Sequence, residues 1–275
     1  MRRARWKGAG GDELEPVLGE YECWPDALPV QFENVEIAIA RTAPEMDDQD
    51  GLTEIEQLYL NQIAAAKRHI YAESQYFASR RIAKAIAKRL AEPDGPEIIV
   101  INPQQADGWL ESQAMDSARA RLFEALKARD PHGRFRLYHP FTQRGAPIYV
   151  HAKILIVDDR LIRVGSSNMN NRSMRLDTEC DICIDTALPA NAGRQATILR
   201  IRDDLIAEHT GRDIETTESI MGGNHIVNEL MNNQIAHGYV LTEINDEEFT
   251  EASKANIFRT ISDPEEPLIP PVKGL

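Results

Sequence analysis

One stretch constrains this chain more than any other. Tyr149 to Val157 is a run of apolar and β-branched residues, Asp158-Asp159-Arg160 is a turn, and Leu161 to Val164 is a second apolar run. The pattern predicts a β-hairpin closing near Val157 and Leu161. Side chains alternate across a strand, so His151 and Lys153 share a face, and the closing register puts Lys153 across from Gly165 and His151 close to Ser167. The returning chain continues Gly165-Ser166-Ser167-Asn168, which brings two hydroxyls and a carboxamide beside a histidine and a lysine.

Those residue types suit an anion that gains charge as it reacts. Displacement at a phosphodiester builds charge on the equatorial oxygens and on the leaving oxygen, and fixed donors aimed at that charge supply a large catalytic effect. Lys153 offers a point positive charge, and Ser166 and Asn168 offer neutral donors. An imidazole titrates near neutral pH, so His151 can attack phosphorus or pass a proton to a leaving alcohol. A histidine in that role needs a partner on its other ring nitrogen. Glu179 is the expected partner and Asp181, two residues along the same strand face, the second choice. Asp158, at the hairpin turn, is expected to cap backbone donors rather than touch substrate. Lysine and histidine supply the positive charge themselves, so no metal or organic cofactor is implied.

The spacing HxKxxxxDxxxxxxGSxN, present once, resembles the signature of the phospholipase D superfamily. Ile70-Tyr-Ala-Glu-Ser-Gln-Tyr-Phe77 is similar to a segment upstream of the second motif in members with two motifs, with Ser74 in place of the usual Asn. Asn170-Asn-Arg-Ser-Met174 is similar to the extension after that motif. Ala38-Ile-Ala-Arg-Thr42 and Arg3-Ala-Arg-Trp6 resemble the linker between the halves of bacterial members. The resemblance implies a phospholipase D-like α/β sandwich half-domain with a mixed central sheet flanked by helices, and hydrolysis or transfer of phospholipid headgroup esters. Members bring two motifs together, in one chain or by dimerisation. The first histidine is the nucleophile that becomes phosphohistidine, and the second, which His151 matches, is the general acid and base. A single motif therefore implies a homodimer or a partner chain carrying the first motif. A catalytically silent half-domain is the competing expectation, to which Met1 falling within linker-like sequence contributes.

Composition narrows the partners. The chain of 275 residues carries a net charge of −13, and residues 213–275 hold 12 acids against 3 bases. No basic patch is evident, which argues against a nucleic-acid partner and leaves a nuclease as the third reading. No apolar run reaches membrane-spanning length and the arginine-rich start lacks a following apolar segment. The three cysteines are Cys23, Cys180 and Cys183. The last two face opposite sides of a strand, so burial, not metal or redox use, is expected. A reducing cytoplasm fits that usage, with peripheral membrane contact left open.

Along the chain, residues 1–34 read as linker, 35–212 as the phospholipase D-like domain with its motif region at 145–172, and 213–275 as an acidic extension. Strands are expected at Val35–Ala40, Glu97–Asn102 and Phe135–Tyr138. A Thr53/Glu56 capping box should open a helix with Ile55, Tyr59, Ile63, Ala66 and Ile70 on one stripe and His69 near its end. Further helices are expected around Ile82–Leu90, from Asp107 to Arg129, and from Pro189 to His209, the last closed by Gly211 with Ile198, Ile201 and Leu205 inward. His132 reads as a turn residue, while His139 could lie near the site. Tyr71, Phe77, Trp24 and Trp109 are read as core rather than lipid-facing.

Overall fold

The structure is a computed structural model, and it describes residues 6–13, 24–45, 50–104, 109–142, 144–221 and 240–243, without the side chains of 109–117 and 240–243. The chain divides into two compact units, Met1–Asn34 and Val35–Leu275. In the first, Trp24 is half exposed and donates its indole N–H to the Leu28 carbonyl at 2.8 Å.

The second unit is built on one sheet. Its strands are β1 (Ala38–Ala43), β2 (Leu52–Thr53), β3 (His69–Ser74), β4 (Glu97–Ile101), β5 (Phe135–Phe141), β6 (Lys153–Val157), β7 (Leu161–Gly165), β8 (Glu179–Asp185) and β9 (Val240–Glu243). Their order is β2-β1-β8-β7-β6-β3-β4-β5-β9. β3 pairs parallel with β4, and β4 with β5. The connections of these parallel pairs are helical, α2 (Arg80–Leu90) and α3 (Trp109–Lys127), as parallel neighbours require. The remaining pairs are antiparallel, so the sheet is mixed, and helices flank it.

Alternation along β3 assigns the two layers. Ile70 and Ala72 join a core with Ile55, Tyr59 and Ile63 of α1 (Glu54–Ala65), Ile82, Ile86 and Leu90 of α2, Phe123 of α3, and Leu155 and Val157 of β6. His69 and Glu73 point the other way and meet Arg202 and His209 of the helix over residues 195–210. Tyr71 and Phe77 are buried, as expected, and the Trp109 side chain lies outside the described residues. No described helix is long and apolar enough to cross a membrane.

Several local expectations are corrected. The Thr53 side chain makes no capping bond, and Glu56 instead pairs with Arg81 at 2.9 Å and Arg175 at 2.9 Å. Two guanidinium partners outcompete a single backbone amide for one carboxylate. The helix ends at Ala65, so Ile70 belongs to β3 and His69 is a buried strand residue, not a helix-end one. Pro189–Asn191 is a separate 3-10 turn, and the helix proper runs from Gln195 to Thr210, closed by Gly211 at φ +65°. Its buried stripe carries Arg202 and Asp203, which displace Ile201 and Leu205 to half-buried positions. Strand β9, pairing with β5, lies where the sequence shows only weak patterning.

Candidate active site

The hairpin forms in the expected register, with Val157 opposite Leu161 and Ile154 opposite Val164. At its closed end Asp158 takes φ +53°, and its carboxylate accepts the backbone N–H groups of Lys67, Arg68 and His69 at 2.8, 2.8 and 2.9 Å. This aspartate is buried and fully engaged with backbone, far along the strand from His151. It ties the hairpin turn to the start of β3.

The other end of the hairpin carries the chemistry. β6 begins at Lys153 and not at Tyr149, so His151 sits just outside the strand and is exposed. Lys153 donates its ammonium to the His151 carbonyl at 2.7 Å and to Gln75 Oε1 at 3.2 Å. Burial pushes its pKa below the ordinary lysine value, against an opposing pull from Glu179. Ser74 pairs with Lys153 across β3 and β6, which delivers Gln75 to the open end. The Gln75 amide then donates to Tyr149 OH at 2.7 Å and Tyr76 OH at 3.0 Å, while its oxygen also takes Asn168 Nδ2 at 3.4 Å. Asn168 Oδ1 accepts the Gln75 N–H at 3.2 Å. Lys153, Asn168 and Gln75 are thus one hydrogen-bonded cluster.

The His151 ring stacks near Tyr149, with centroids 6.5 Å apart, and makes no hydrogen bond among the described residues. Within this single chain the expected orienting partner, Glu179, makes no hydrogen bond to the ring. Glu179 accepts the Ser166 hydroxyl and, at 2.8 Å, the Ser173 hydroxyl. It lies on β8, which β7 separates from β6, and each of its oxygens accepts one serine hydroxyl. Burial raises its pKa, and the two serine hydroxyls work against that rise. Asp181, the second choice, does not reach the imidazole either. It is fully buried against Arg163 and accepts the N–H groups of Ser166 and Ser167 at 3.1 and 3.2 Å. Gly165 is required beside it, because a Cβ there would stand 2.0 Å from Asp181 Oδ1.

The remaining candidates fall away from the site. His139 is buried in β5 and donates its Nδ1–H to the Asn102 carbonyl at 3.0 Å. Asn102 in turn donates to the Ser74 carbonyl, so His139 is joined to the site only through two intermediate residues. His132 is exposed in a turn. Cys180 is exposed and Cys183 buried, on opposite faces of β8, and both are free thiols. Gln75 is the residue that reasoning from the motif did not assign. Its signal was its place in the Tyr-Ala-Glu-Ser-Gln-Tyr-Phe run, which the sheet register carries to Lys153.

An ammonium and a carboxamide at the end of one hairpin, beside a serine hydroxyl held by Glu179 and with an unpartnered imidazole at the rim, form a set of groups suited to a phosphate anion. The family model described as "Cardiolipin synthase, PLD-like domain" matches residues 59–197, from α1 through β8 and beyond. The chain belongs to this phospholipase D-like family. It is 31% identical over 163 residues to cardiolipin synthase 1 of Staphylococcus epidermidis, covering 59% of this chain and 30% of that protein. It is 29% identical over 196 residues to cardiolipin synthase A of Pseudomonas entomophila, covering 71% and 36%. The chain therefore spans about a third of the length of these relatives. Among solved structures, Nuc from Salmonella typhimurium, a phospholipase D family member, aligns over 62% of this chain and 94% of its own, with a TM-score of 0.42 and 17% identity.

Proposed function

We propose that this chain is one half of a phospholipase D-like phosphodiesterase, with a second copy of its motif completing the site. The observation that carries the reading is the cluster at the open end of the hairpin, where Gln75 joins Lys153 to Asn168 and His151 stands exposed next to them. Lys153, Ser166 and Asn168 hold the phosphate, and His151 handles the proton. In a two-copy site, one His151 attacks phosphorus as the bond to the leaving alcohol oxygen breaks, and the other His151 gives that oxygen its proton. Water or a second alcohol, deprotonated by the latter imidazole, then displaces the phosphohistidine and frees the first. Glu179 serves this scheme by holding Ser166 and Ser173 rather than by touching the imidazole. The substrate class is a phospholipid headgroup ester, which the cardiolipin synthase relatives support.

A second chain also has a surface to use. Ile39, Ile182 and Val164 lie in one cross-strand row and are 60, 41 and 44% exposed. That row is one register step from Gly165, on the face of the sheet opposite Lys153. The competing reading, a half-domain that binds phosphate without turnover, draws on the single motif. Native mass and hydrolysis of a chromogenic phosphodiester, with His151→Ala alongside, separate the two. A dimer whose activity disappears in the variant supports the enzyme. A folded monomer with no turnover above the variant supports the silent half.

A further inference from the structure

The loop Gly165-Ser166-Ser167-Asn168 rests on a buried ion pair that the proposed chemistry does not use. Arg163 and Asp181 are 1% and 0% exposed. Arg163 stacks on the Tyr59 ring, with its guanidinium carbon 3.9 Å from the centroid, and bonds Tyr59 OH, Ser167 Oγ and Asp181. Asp181 spends its other oxygen on two consecutive peptide N–H groups, those of Ser166 and Ser167. The Tyr59 hydroxyl donates to the carbonyl of the same Ser167, at 3.4 Å. Both backbone polar groups of Ser167 are therefore held from beneath. Desolvating an ion pair is costly, and packing alone would be served as well by two apolar side chains. What an apolar pair could not supply is an acceptor for the loop's amides.

We propose that Asp181 is a positioning residue: its buried carboxylate turns the Ser166 and Ser167 amides inward and so presents the Ser166 hydroxyl and the Asn168 carboxamide to a phosphate group. Gly165 belongs to the same device, since only a residue without a side chain lets β7 pass that close to Asp181. The assignment rests on the reading of Ser166 and Asn168 as phosphate donors. It differs from a purely structural role in one respect: the hydrogen-bond acceptor matters, and the charge does not.

Two double variants isolate that acceptor. Arg163→Met with Asp181→Asn removes the ion pair and keeps an oxygen for the two amides, whereas Arg163→Met with Asp181→Leu removes the pair and the oxygen together. Each full-length protein is checked for cooperative thermal unfolding, and its affinity for inorganic phosphate is measured by calorimetry, with amide exchange at Ser166 and Ser167 followed by NMR. The asparagine variant should bind phosphate within about twofold of wild type, and the leucine variant about tenfold more weakly with faster exchange at both amides. Equal affinities in the two folded variants overturn the positioning role. Wild-type protein that does not bind phosphate overturns the underlying reading of the donors instead, and the role with it. Should the leucine variant not fold, Gly165→Ala takes its place and must weaken phosphate binding to a similar degree; unchanged binding there also overturns the proposal.

Discussion

The two ends of one hairpin are built to opposite specifications. At the closed end the buried polar side chains are engaged by their own chain: Asp158 takes three backbone amides, and His69 beside it accepts from Arg202. At the open end, seven residues back along the chain, His151 is exposed with no partner on its ring among the described residues. Lys153 there is held by one carbonyl and one carboxamide, both neutral. A group whose bonds are all satisfied by its own chain has none to offer a substrate. The first end secures the hairpin against the sheet, and the second leaves the His151 ring available.

Substitutions should separate those purposes. The largest expected effect is at the open end: His151→Ala should lower phosphodiester turnover by about 10²- to 10⁴-fold while leaving the unfolding midpoint near wild type. Asp158→Ala should show the reverse. Three amides, one of them buried, lose their acceptor, so stability should fall by about 2 kcal/mol in urea titration, with kcat retained wherever the variant is folded. If Asp158→Ala abolished turnover without a stability loss, the comparison would fail.

Acid should weaken the closed end. Burial, helped by the charge of Arg202, depresses the His69 pKa from 6.5 to about 4, against the pull of Asp158. The unfolded chain then binds more protons than the folded one in that window. Stability is therefore complete above about pH 6.5 and is lost as pH falls toward 4, by on the order of 2 kcal/mol. Urea midpoints at pH 7 and 4.5 should show a shallower pH dependence in His69→Gln than in wild type; an unchanged slope would remove His69 from the account. The smallest effect is expected at Gln75. Its replacement by Leu frees Lys153 and Asn168 from a shared acceptor and should cost about tenfold in kcat/KM, with little change in stability.

Much of this was legible in sequence because it was local. The hairpin register, the backbone-capping role of Asp158 and the opposite facing of Cys180 and Cys183 all follow from alternation and a turn signal over a few residues. The mixed α/β class follows from the order of the apolar runs. What was not legible depends on which strands become neighbours. Glu179 shares a segment with the motif, but β7 comes between β8 and β6, and within this chain its oxygens accept from Ser166 and Ser173. Gln75 is distant in sequence and enters the site only because β3 pairs with β6. Arg202 and Asp203 occupy an inward stripe where periodicity favours leucine and isoleucine, since a buried ion pair cannot be read from helical spacing.

The central claim is that the open end is half of a composite site. It is tested most directly by mixing wild-type and His151→Ala chains in equal amounts, letting the subunits exchange, and measuring hydrolysis of bis(4-nitrophenyl) phosphate. If two intact motifs must meet across a two-fold axis, activity should fall to about one quarter of that of undiluted wild type at the same total concentration. Activity at about one half, in simple proportion to the wild-type chains present, would contradict it.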